Sequence, residues 1–75
     1  MSEVIKIDAC GQRCPRPIIE LAKASRKVSS GARIQIVADD LAFESDVNAW
    51  CETTGNALSS LERDEDMITA IIEIS

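Results

Sequence analysis

Apolar and charged residues alternate at the start of the chain. Ile5 and Ile7 flank Lys6 and precede Asp8, and this period of two predicts a short strand over 4–8. From Pro15 to about Ser29 the period changes. Ile18, Leu21, Ala22, Ser25 and Val28 recur every three or four residues, which predicts a helix with one apolar stripe and with Lys23, Arg26 and Lys27 off it. Ser30-Gly31 is expected to end that helix, since glycine accepts left-handed geometry. Residues 32–38 (ARIQIVA) are apolar and β-branched, a second strand. Asp39-Asp40 then predicts a turn and N-cap. Phe43, Val47, Trp50, Cys51 and Thr54 restore the helical period, and Gly55 closes it. A weaker strand over 56–62, a charged turn at 63–66 and a strand over 67–74 complete the pattern. In that last strand Ile68, Ala70, Ile72 and Ile74 share one face.

The predicted order is β-α-β-α-β-β. It implies an α+β two-layer sandwich, a four-stranded mixed sheet with two helices on one face. The first two strands, joined through a helix, should run parallel, and the last two should form a hairpin. With 75 residues, a single domain over 1–75 is expected. Hydrophobic residues make up 45% of the chain and aromatics only 3%, so the core must be aliphatic.

Charge sharpens this picture. The formal net charge of −5 argues against direct nucleic-acid binding. Five of the eight basic residues (Arg13, Arg16, Lys23, Arg26 and Lys27) nevertheless fall between 13 and 27, opposed there only by Glu20. From Asp39 onward ten acidic residues face Arg63 alone. A basic end and an acidic body are expected. No apolar run approaches the ~18 residues of a membrane span. No basic segment followed by an apolar stretch opens the chain, so no secretory signal is expected and the reducing cytoplasm is the expected location.

The chain has three cysteines and no histidine. Without histidine, Cys-His proteases, Ser-His-Asp hydrolases and most zinc enzymes are excluded. No metal and no organic cofactor is called for. Candidate chemistry concentrates in Cys10-Gly11-Gln12-Arg13-Cys14-Pro15-Arg16-Pro17. Pro15 disfavours helical geometry at Cys14 and suits the first helical position itself. Pro17 is tolerated within the first turn. Together the two prolines set the start of the helix and leave Cys14 at its mouth. There the helix dipole, Arg13, Arg16 and the Arg16 amide are expected to favour thiolate over thiol. The competing reading is a plain helix start with cysteine as a small core residue.

Cys10 lies four residues before Cys14, across the Gly11 turn. It is either a resolving thiol that closes a disulfide with Cys14 or a small hydrophobe ending the first strand. Cys51, beside Trp50 on the second helix's apolar stripe, is expected in the core. From the residues alone, three functions stand: a nucleophilic thiol at Cys14, a dithiol redox protein using Cys10 and Cys14, or a non-catalytic interaction module whose basic helix docks on an acidic partner.

Cys14-Pro15-Arg16-Pro17, after a strand ending Ile7-Asp8 and the Gly11 turn, resembles the C-P-x-P motif of the TusA/SirA-like sulfur-carrier family. Asp40, Asp46-Val47, Trp50-Cys51 and 54–58 (TGNAL) resemble that family's later pattern, so the likeness covers essentially the whole chain. The resemblance implies a fold like the C-terminal domain of translation initiation factor 3. It also implies that Cys14 accepts sulfane sulfur as a persulfide and relays it. The implied donors are a cysteine desulfurase, a rhodanese or a DsrE-like protein. The sulfur would pass to an acceptor protein in tRNA thiolation, cofactor sulfuration or sulfur metabolism. Two positions depart from the family pattern: Leu41, where many members have proline after the aspartate, and Asn48, where many also have proline. Cys10 is not a universal family feature.

Overall fold

The computed structural model describes residues 4–13 and 16–75. Six elements follow in chain order: β1 (Val4–Asp8), α1 (Arg16–Ser25), β2 (Arg33–Ala38), α2 (Phe43–Thr54), β3 (Ala57–Asp64) and β4 (Met67–Glu73). The strands form one sheet in the order β1-β2-β4-β3. β1 and β2 are parallel, and β4 is antiparallel to both of its neighbours. This is the expected mixed sheet of a two-layer sandwich.

The register explains the core. Ile5, Ile34, Ile72 and Leu58 form one row across the sheet, and Ile7, Ile36, Ala70 and Leu61 form the next. Because side chains alternate along a strand, these rows share one face. Leu21 from α1 and Phe43, Val47 and Cys51 from α2 are buried in the same cluster as Ile34, Ile36, Ala70 and Ile72. Leu58 and Leu61 are three apart, which a regular strand would send to opposite faces. The register shift between Leu58 and Ser60 absorbs the extra residue and turns both leucines inward.

Several boundaries differ from expectation: β3 runs on to Asp64, which narrows the charged turn to Glu65-Asp66, and three others have local causes. First, α1 stops at Ser25. The Arg26 and Lys27 amides donate to the carbonyls three residues back, at 3.3 and 3.0 Å, a tightening common at helix ends. The Ser25 hydroxyl also bonds the Ala22 carbonyl at 2.7 Å. Second, Gly31, at φ 92°, does not close α1. It sits in the turn that leads into β2, where the Ala32 amide donates to the Ser29 carbonyl at 3.1 Å. Third, α2 is preceded by Ala42 with no side-chain cap. Asp40 serves one turn earlier, where its Oδ1 accepts the Ala42 amide at 3.3 Å and its carbonyl accepts the Phe43 amide at 3.0 Å. Gly55 closes α2 in the left-handed conformation, as expected. Asn56 then ties β4's exit: its Oδ1 accepts the Ser75 amide at 3.0 Å.

Candidate functional site

The connection from β1 to α1 is built residue by residue from short-range bonds. Pairing with β2 extends one position past β1, where the Ala9 amide donates to the Val37 carbonyl at 2.8 Å. Asp8, at the strand's end, accepts the Cys10 amide on Oδ1 at 3.0 Å, an aspartate holding the backbone two residues on. The Gln12 amide returns to the Ala9 carbonyl at 3.2 Å, closing a four-residue turn with Gly11 at its third position. Gly11 has φ 83°, as a type II turn requires there. The Gly11 amide in turn donates to Asp39 Oδ1 at 2.9 Å. Two carboxylates from two different strand ends therefore hold the loop.

The Arg16 amide, at the start of α1, donates to the Arg13 carbonyl at 2.8 Å. It was expected to be a free donor for the Cys14 sulfur. Instead it closes the turn that carries the chain into the helix, because a carbonyl three residues back lies within its reach. Cys14 and Pro15 themselves lie outside the described residues. Arg13 and Arg16 are exposed on either side of them. Pro17 is among the largest fully buried side chains, so it anchors α1 in the core as well as opening the helix.

A cleft of about 270 Å³ lies against this loop, lined by Gly11, Gln12, Arg13, Asp39, Asp40 and Leu41. It opens where the parallel strands β1 and β2 end, a recurrent location for sites in sheets with parallel strands. Leu41 is 74% exposed at its rim. Arg13, Arg16, Lys23, Arg26 and Lys27 are all exposed. The expected basic surface therefore exists along α1.

Cys10 and Cys51 differ from each other. Cys51 is 5% exposed within the core cluster, as expected, and burial pushes its thiol pKa up. Cys10 is half-buried, with Sγ 3.5 Å from the Met67 thioether of β4. Its pKa is raised by desolvation first, then by hydrogen bonding to Asp8 and the negative fields of Asp8 and Asp39. Among the described residues no group of three or more cysteine or acidic side chains is placed to hold a metal. No helix of the described residues is long and apolar enough to cross a membrane. The roles of Asp8 and Asp39 were not foreseen from the sequence. The pattern of an aspartate two residues before a Cys-Gly pair was the available signal for the first, and nothing local announced the second.

The chain matches the family model described as Sulfurtransferase TusA over residues 5–74. It is 28% identical over 67 residues to a protein of Aquifex aeolicus described as a candidate sulfur carrier. That match covers 89% of this chain and 34% of the Aquifex protein, so the chain spans about a third of that relative's length. Its fold superposes on the crystal structure of a SirA-like protein from Desulfitobacterium hafniense with a TM-score of 0.81 at 30% identity. That likeness covers 92% of this chain and 95% of the other.

Proposed function

Because this chain belongs to the TusA sulfurtransferase family, we propose that it carries sulfur as a persulfide on Cys14 and relays it to a partner protein. Family membership supports the sulfur-carrier role. The observation that carries the finer reading is the start of α1. The held loop leads directly into a ten-residue helix whose first residue is Arg16, two positions after Cys14, with Arg13 and Arg16 exposed beside it. The positive end of a helix dipole and two guanidinium groups favour an anion, and both a thiolate and a persulfide are anions. No histidine base is then needed.

In the transfer the Cys14 thiolate attacks the terminal sulfur of a donor persulfide. A new S–S bond forms on Cys14, the donor S–S bond breaks, and the donor leaves as a thiolate with no net oxidation. The acceptor reverses the step. A cysteine desulfurase, a rhodanese or a DsrE-like protein fits the donor role. A sulfur-accepting protein fits the other end, with the exposed basic surface of α1 as the docking contact. We place this activity in the cytoplasm, in a single carrier domain over 1–75. In a dithiol oxidoreductase Cys10 would be the resolving thiol, whose deprotonation desolvation and the Asp8 and Asp39 carboxylates disfavour.

The test is an intact mass after incubation with a low-molecular-weight persulfide. Wild type should gain ~32 Da, one sulfur atom, and Cys14→Ser should gain none. An adduct of equal yield on the variant would remove Cys14 from the reading.

A further inference from the structure

The β1–α1 loop carries two cysteines four residues apart, Cys10 and Cys14. Resting on the persulfide reading above, we infer that Asp8 and Asp39 are positioning residues that guard the cargo, holding Cys10 so that it does not strip the sulfur from Cys14.

The geometry around Cys10 is set from three elements. From β1, Asp8 Oδ1 accepts the Cys10 amide at 3.0 Å. From the connection after β2, Asp39 Oδ1 accepts the next amide, that of Gly11, at 2.9 Å. From β4, the Met67 thioether lies 3.5 Å from Cys10 Sγ. A thioether has no proton to give, so this contact is a hydrogen bond only while Cys10 keeps its own. A thiolate in the same place would set lone pairs against lone pairs. The charged groups acting on this thiol are Asp8 and Asp39. Desolvation of the thiol first, then the hydrogen bond with Asp8 and the negative fields of Asp8 and Asp39, push its pKa up.

Chemistry makes this surrounding consequential. A thiolate at Cys10 could attack the inner sulfur of a Cys14 persulfide. A Cys10–Cys14 disulfide would form, the sulfane S–S bond would break, and the outer sulfur would leave with the bonding electron pair. The proton lost by Cys10 would end on the departing hydrosulfide. The Cys10 sulfur is oxidised to the disulfide level while the sulfane sulfur is reduced to sulfide, so no external oxidant is required. The carrier would thereby empty itself without meeting an acceptor. Exchange of this kind proceeds through the thiolate, and the two carboxylates add to desolvation in keeping that species scarce. They also bond the loop that precedes Cys14 in the chain. One pair of side chains thus serves both placement and protection.

Asparagine keeps an amide oxygen for the same backbone donor and removes the charge. Wild type, Asp8→Asn, Asp39→Asn and their Cys10→Ser counterparts are loaded with cysteine persulfide, freed of it, and followed by sulfide release and intact mass at neutral pH. The asparagine variants should release sulfide several-fold faster than wild type and accumulate the Cys10–Cys14 disulfide. Adding Cys10→Ser should abolish that gain. Equal release rates, or faster release that survives Cys10→Ser, would overturn the inference. A second arm needs no cargo: in a Cys14→Ser background, Cys10 alkylation is measured against pH. Its midpoint should fall in both asparagine variants, and an unmoved midpoint overturns the inference. If no protein takes an adduct, the persulfide reading fails. A lowered midpoint would then still support the hold of the carboxylates on Cys10.

Discussion

Gly11→Ala probes the loop at its most constrained point. Gly11 has φ 83°, and a Cβ built there meets nothing within 4 Å. Steric crowding therefore contributes nothing, and the cost is the left-handed backbone alone, about 1–2 kcal/mol for a side chain with a Cβ. If the turn holds, the Gln12–Ala9 and Gly11–Asp39 bonds of 3.2 and 2.9 Å survive and that is the whole loss. If the turn yields, the charge-assisted bond to Asp39 goes as well, raising the total toward ~3–4 kcal/mol. Equilibrium urea unfolding followed by circular dichroism reads the difference. With a slope near ~1 kcal/mol/M for so small a chain, the midpoint should fall by about 1–2 M. Gly11→Asn should recover most of the loss, because asparagine tolerates this conformation. An unchanged midpoint for Gly11→Ala, or equal losses for alanine and asparagine, would refute the backbone account of this loop.

Two further outcomes follow from the core and the thiols. Phe43, 1% exposed and the largest fully buried side chain, should cost ~3–5 kcal/mol as Phe43→Ala. A domain of 75 residues has roughly 4–11 kcal/mol in all, so this variant should lose a large share of its stability and melt roughly 12–40 °C below wild type, at ~4–8 °C per kcal/mol for a chain of this size. Cys10 and Cys51 both have raised pKa values in the fold. Above the ordinary thiol range near ~8.5 the unfolded chain loses protons that the folded chain keeps, so stability falls as pH rises. The stabilisation is complete below that range and is lost as pH climbs through the raised values. Urea midpoints measured up the alkaline limb should decline less steeply in Cys51→Ala, and an unaltered slope would count against burial as the cause.

Much of the fold was legible in local periodicity. The switch from alternation to helical spacing at Pro15, and back at 32, marked α1 and β2 within a few residues. Ile68, Ala70 and Ile72 on β4 fell on one face as the period of two required. β3 read weakly because Leu58 and Leu61 break that period, and the bulge that reconciles them exists only through pairing with β4. The end of α1 was misplaced because Val28 keeps the apolar stripe going. It packs against the core from a turn rather than from a helix.

The chemical centre divides in the same way. By itself the sequence determined that a cysteine precedes a proline-marked helix start, that arginines flank it, and that no histidine assists it, since these are statements about neighbours along one chain. Only the tertiary structure decided what holds the loop. Asp39 is twenty-eight residues from Gly11 and Met67 fifty-seven from Cys10, and the parallel pairing of β1 with β2 and the antiparallel pairing of β2 with β4 bring them together. Hydrogen bonds and electrostatic fields act over a few ångströms of space, so the surroundings that distinguish Cys10 from its neighbour were settled by the order of strands in the sheet.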